Sequence, residues 1–153
     1  MVERWIFVLN KFVGAAHPTF IQLHDGTVHY FWTVGFSARD REFMGVYYQS
    51  PDGDTYHIPC DVDGFEAVSL GDRIVFAYTD RSARREVFVR VVEAGAVGPA
   101  SSIMLWSSPY GTDGEHLFLE KVDGDRLWLI DTFGLGKVYV LKLAYENRKP
   151  RPS

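Results

Sequence analysis

The chain has 153 residues, enough for one domain that buries about two thirds of the surface its unfolded form exposes. With 46% apolar and 15% aromatic residues it is neither a disordered chain nor a coiled coil. A net charge of −4 and a pI near 5.7 argue against a protein that coats nucleic acid.

In chain order, the first apolar stretch is RWIFVLN (4–10). It is too short for a membrane span and lacks the long apolar core and small-residue cleavage site of a secretory signal, so it reads as a strand. Three segments then repeat one pattern, a strand, a Gly/Asp turn, an aromatic-rich strand and a threonine. They are TFIQLHDGTVHYFWT (19–33), FEAVSLGDRIVFAYT (65–79) and LFLEKVDGDRLWLIDT (117–132). One, three and five residues before Thr33, Thr79 and Thr132 stand Trp32/Tyr30/Val28, Tyr78/Phe76/Ile74 and Asp131/Leu129/Leu127. Only Asp131 breaks the apolar alternation, which is the period-two pattern of a strand with one buried face.

A loop and a third strand follow each threonine, at 41–50, 85–93 and 137–145. The first two units add a fourth strand, DTYHIPCDV (54–62) and PASSIMLW (99–106), and the third unit lacks one, which strand 4–10 supplies. Twelve strands in three units of four match the blades of a β-propeller. The expected fold is therefore all-β, with three four-stranded antiparallel blades at about 17–62, 63–106 and 115–145 and strand 4–10 completing the last. A single domain over 1–147 and a flexible, proline-bearing tail at 148–153 follow. Three blades are too few for a ring of the usual four to eight, so the expectation is a homodimer of six. A single barrel or sandwich is the rival architecture.

Residues 17–58 resemble one blade of the Asp-box (BNR) repeat proteins, the sialidase-like propellers. The likeness lies in the Pro-Thr opening, the strand–DG–strand hairpin and SPDGDTY, where Ser50, Asp52, Thr55 and Tyr56 fill the Asp-box pattern if one residue is deleted around Gly53–Asp54. The resemblance implies a folding role for these residues, the hydroxyl and carboxylate closing the hairpin and the tyrosine packing between strands. It also implies, as one alternative, a sialidase-like glycoside hydrolase completed by dimerisation. The arginine-bearing opening motif of that family is absent from the N-terminal strand.

No catalytic motif, metal signature or cofactor motif stands out. His57 and Cys60 are three apart in an extended stretch, so they point to opposite faces and do not share a metal. GLGK (134–137) lacks phosphate-loop spacing. With one cysteine, Cys60, no internal disulfide is possible, and a reducing, cytoplasmic setting is expected.

The loops after the second strands carry the strongest site signal. Both VGFSARDRE (34–42) and DRSARRE (80–86) contain Ser-Ala-Arg, and Arg39, Arg41, Arg81, Arg84 and Arg85 sit in them. In a propeller these loops share one face, and guanidinium forks there suit carboxylate, sulfate or phosphate. His17, His116 and Asp131 are expected on the same face, with Trp32 and Tyr78 as aromatic platforms leading to it. The expected function is non-catalytic capture of an anionic small molecule or glycan, a phosphorylated nucleotide included. The competing readings are the hydrolase and a protein–protein interaction module, with neither a membrane nor an extended nucleic acid as partner.

Overall fold

The computed structural model describes residues 15–35, 41–83, 86–104, 117–131 and 137–143. The strand expected at 4–10 and the tail at 148–153 lie outside them. The described residues form three antiparallel sheets and no α-helix, and no sheet closes into a barrel.

The first sheet is a meander of β1 (Ala15–Gln22), β2 (Val28–Val34), β3 (Gly45–Gln49) and β4 (Thr55–Pro59). The second contains β5 (Val62–Leu70), β6 (Arg73–Asp80), β7 (Glu86–Glu93), β8 (Ala96–Val97) and β9 (Ser101–Met104). The third is β10 (Leu117–Lys121), β11 (Arg126–Asp131) and β12 (Lys137–Lys142). The three sheets fall on the three sequence units, and the hairpins expected between their first, second and third strands form.

Short-range chemistry sets these hairpins. Asp25 Oδ1 accepts from the Thr27 amide at 2.9 Å and its hydroxyl at 2.6 Å, while Gly26 takes φ +84°, so the β1–β2 turn is an Asx turn completed by glycine. Asp123 accepts from the amide and guanidinium of Arg126 in the β10–β11 turn, a bond that holds its carboxyl down to about 2.

Three boundaries differ from the sequence expectation. The 54–62 segment is divided: β4 ends at Pro59, and after Cys60 and Asp61 the chain enters the second sheet at Val62. The start of the 41–50 segment is a 3-10 turn at Arg41–Phe43, closed by Met44 N–H to Arg41 O at 3.1 Å. The fourth strand of the second sheet is interrupted, with β8 beside one end of β7 and β9 beside the other. Pro99 between them has no N–H to offer the ladder, and Gly98 turns its own amide to Val91 O at 2.8 Å.

The sheets stack in sequence order. Phe31, Val46, Tyr48 and Ile58 of the first pack on Phe65, Ile74, Phe76 and Tyr78 of the second. The opposite face of the second sheet, with Val75, Ala77 and Val87, packs on Leu117, Leu119, Leu127 and Leu129 of the third. The middle strand β6 is thus buried on both faces from Ile74 to Thr79. Such a continuous apolar run is what a strand covered on both sides requires.

Alternation fixes where the repeated positions point. Ile74, Phe76 and Tyr78 face the first sheet, and Leu127 and Leu129 face the second. Their counterparts in the first unit, Tyr30 and Trp32, point away from the second sheet, and Tyr30 is 47% exposed. The expected buried face therefore faces the preceding sheet in every unit, and the first sheet has none before it among the described residues.

Candidate functional site

The ends of β2, β6 and β11, where the second-to-third-strand loops leave, lie at one end of the stack. A β-carbon on Gly35 would stand 3.9 Å from the Val62 carbonyl, which joins the first and second sheets there. Leu117, paired with Asp131, packs on Ala77 and Val87 and joins the third.

The repeated threonines build this end. Thr33 Oγ1 lies 3.0 Å from Nδ1 of His17, which sits in a β1 bulge between Ala16 and Thr19 with φ +52°, a region that non-glycine residues seldom occupy. Thr79 Oγ1 accepts from the Gly64 amide at 2.8 Å, in a β5 bulge between Val62 and Phe65. Both threonines are buried, so each hydroxyl ties the end of a second strand to a bulge in the first strand of its sheet.

Beside the Thr79 bulge, the Arg81 guanidinium donates to Asp63 Oδ1 at 3.2 Å and its amide to Asp61 O at 2.9 Å. Asp80 Oδ1 accepts from the amide and hydroxyl of Ser82 at 3.0 and 2.8 Å, which shapes the start of the loop. Arg41 is exposed in the 3-10 turn. Asp131 closes β11 opposite Leu117 and Lys137. Arg39, Arg84, Arg85 and His116 lie outside the described residues.

The two aromatic candidates are placed differently. Tyr78 is 3% exposed, accepts from Arg90 Nε at 3.1 Å and stacks on Phe88, so it sits in the core beneath this end. Trp32 begins a three-ring stack with Tyr47 (5.2 Å) and His57 (4.3 Å from Tyr47) on the outer face of the first sheet. Its indole N–H is buried with no hydrogen-bond partner. Cys60 is no nucleophile at neutral pH, because burial first and the Asp80 charge second push its thiol up to about 12.

Two arrangements carry no motif in the sequence. Glu66 on β5 has its carboxyl raised by burial and by Glu120 of β10; a lone acid among the apolar residues of 65–70 is its only sequence signal. At the opposite end of the stack, turns of the first two sheets frame a half-open cleft of about 200 Å³ lined in part by Asp25, Asp52, Asp72 and His29. A relay leads inward from it, Asp25 to Thr27, Thr27 Oγ1 to His29 Nε2 at 3.0 Å, and His29 Nδ1 to the Tyr48 hydroxyl at 2.7 Å. Among the described residues no group of three or more His, Cys, Asp or Glu is placed to hold a metal ion.

The relay has a pH consequence. His29 is 3% exposed, and burial lowers its pKa from 6.5 against the opposing pull of Asp25. As pH falls below 6.5 the unfolded chain takes up the proton first, so the stability His29 gives above 6.5 is lost as pH drops towards the folded value. Urea midpoints measured from pH 7.5 to 5 are expected to fall in that window, and to fall less in His29→Gln.

The SPDGDTY turn is held by backbone bonds, Ser50 N–H to Asp54 O at 2.8 Å and Gly53 N–H to Ser50 O at 2.9 Å. Ser50 Oγ is buried without a hydrogen-bond partner, and Tyr56 is 46% exposed. Among the described residues no helix is long and apolar enough to cross a membrane. No protein-family model, curated protein or solved structure matches the chain.

Proposed function

We propose that the three stacked sheets are blades of a β-propeller completed to six by a second copy, and that the chain is a non-catalytic binding protein for an anionic small molecule or glycan. The ligand seat in this reading is the end where the loops after β2, β6 and β11 leave. The observation that carries it is convergence: His17, Thr33, Asp63 and Arg81, contributed by two sheets, come to one end of the stack. An exposed pair such as Arg81–Asp63 contributes only about 0–1 kcal/mol, so an incoming carboxylate, sulfate or phosphate can replace Asp63 at little loss. A cytoplasmic setting belongs to the same reading and rests on the single cysteine.

A second reading, a sialidase-like hydrolase, draws on one observation, the raised Glu66 carboxyl beside Glu120. A carboxyl pKa raised by its surroundings is the kind of shift a general acid uses.

Thermal stabilisation by phosphate, sulfate, a sialic acid and a nucleoside monophosphate separates these. A true ligand at one hundred times its Kd adds about 2.7 kcal/mol of stability. Arg81→Ala is expected to weaken the responding anion about tenfold or more, and Asp63→Asn to leave it equal or tighter. Unchanged affinity in Arg81→Ala ends the anion reading. Turnover of a model sialoside that disappears in Glu66→Gln would favour the hydrolase.

A further inference from the structure

The stack has two terminal faces, and most of the large exposed apolar side chains of the described residues lie on them. On the outer face of the first sheet Phe20 is 72% exposed beside Tyr30 at 47%, while the Trp32–Tyr47–His57 stack at the other end of that face is covered, Tyr47 being 6% exposed with its hydroxyl on Phe43 O. On the outer face of the third, Phe118, Trp128, Val138 and Val140 are 42–63% exposed in two adjacent rows, Phe118–Ile130–Val138 and Glu120–Trp128–Val140. Both faces of the middle sheet are covered by its neighbours.

The repeat says what each outer face lacks. Tyr30 and Trp32 hold the positions that Phe76 and Tyr78 hold in the second unit, where they pack on the preceding sheet. Trp128 and Ile130 hold the positions that Val75 and Ala77 hold, where they pack on the following sheet. One terminal face is therefore built to receive a preceding sheet and the other a following one.

We infer that the outer face of the first sheet seats on the outer face of the third sheet of a second copy, head to tail. This rests on the six-blade reading above and adds to it which surfaces meet. Charge permits it: β1 to β4 contain no Asp, Glu, Lys or Arg, and the charges on the opposing face stand at its borders, Glu120 on the edge strand β10 and Arg126 opposite Lys142 beside the β10–β11 hairpin.

Area argues for a closed pair. Three strands about 4.8 Å apart and five residues long present a face of about 14 by 17 Å. One such contact is small against the roughly 800 Å² per partner of a stable interface. Two copies that meet through both contacts raise it to about 480 Å² of strand face, which the side chains and loops at the rims extend, and six sheets fall within the range in which propellers close.

Light scattering on a sizing column tests this with Phe20→Glu and Val140→Lys, both at exposed positions where the isolated chain loses no core. The wild type is expected at twice the 17.4 kDa chain mass, and each variant alone at the chain mass with an unchanged circular dichroism spectrum. An equimolar mixture of the two variants is expected to return to twice the chain mass. In a mixed pair one contact is wild type on both sides and the other sets acid against base. A wild type at the chain mass overturns this inference together with the six-blade reading. A dimeric wild type whose variants stay dimeric, or whose mixture stays monomeric, overturns the pairing of these faces and leaves six blades standing.

Discussion

Gly45→Ala is expected to lower the melting temperature by about 10 °C, from a loss of roughly 3–4 kcal/mol in a chain of this size. Gly45 opens β3 at φ +140°, a conformation that L side chains rarely adopt. A β-carbon there would overlap the Ile58 carbonyl oxygen of β4 and stand 2.9 Å from His57 Nε2. Neither neighbour can yield easily. The Ile58 carbonyl belongs to the β3–β4 ladder, and His57 is held between its 2.9 Å contact to Met44 O and its stack on Tyr47. The strained backbone alone costs about 1–3 kcal/mol, and the backbone overlap adds to it. Gly53→Ala separates the two contributions: at φ +90° with nothing within 4 Å, it is expected to lose only the backbone share, about 1 kcal/mol. Equal melting temperatures for the two variants would sink the argument from close approach.

Phe31→Ala is expected to lose about 3–5 kcal/mol, because the ring is 1% exposed and the space it leaves is framed by strands. Phe31 lies against Tyr48 of its own sheet at 5.0 Å and against Phe76 and Phe65 of the second at 5.3 and 5.6 Å. It therefore joins two layers, and its removal weakens the docking of the whole first sheet as well as its local packing. Urea unfolding followed by tryptophan fluorescence measures this, with Val122→Ala as the control. Val122 is 40% exposed beside a turn, and its truncation is expected to change stability by no more than about 0.5 kcal/mol. A loss below about 1 kcal/mol for Phe31→Ala would mean that the two sheets hold together by other contacts.

Much of the architecture was legible because two signals coincide in the chain. Apolar alternation marked the strands, and Asp25–Gly26, Gly71–Asp72 and Asp123–Gly124 marked the turns between first and second strands. Alternation tells which residues share a face but not whether that face is covered, and so Tyr30 was expected inside and stands outside. The break between β8 and β9 depends on Gly98 turning to Val91, a pairing set by the third dimension. The Thr33 and Thr79 repeat was visible, while its purpose, a hydroxyl bonded to a bulge in the neighbouring strand, was not. At the candidate site Arg81 was legible as a loop arginine, but its partner Asp63 is 18 residues away and is brought to it by the β5–β6 register. The relay through His29 was hidden for the same reason, since Tyr48 belongs to a different strand.

The threonine–bulge bonds carry a further consequence. Each pins a second strand just before it leaves the sheet, where Val34 still pairs with Ala15 and Gly45, and Asp80 with Val62. The strand ends are thereby held by bonds within their own sheets, as the frame beneath functional loops is held. Changes of length or sequence beyond Val34 and Arg81 are expected to leave the frame's dimensions as they are.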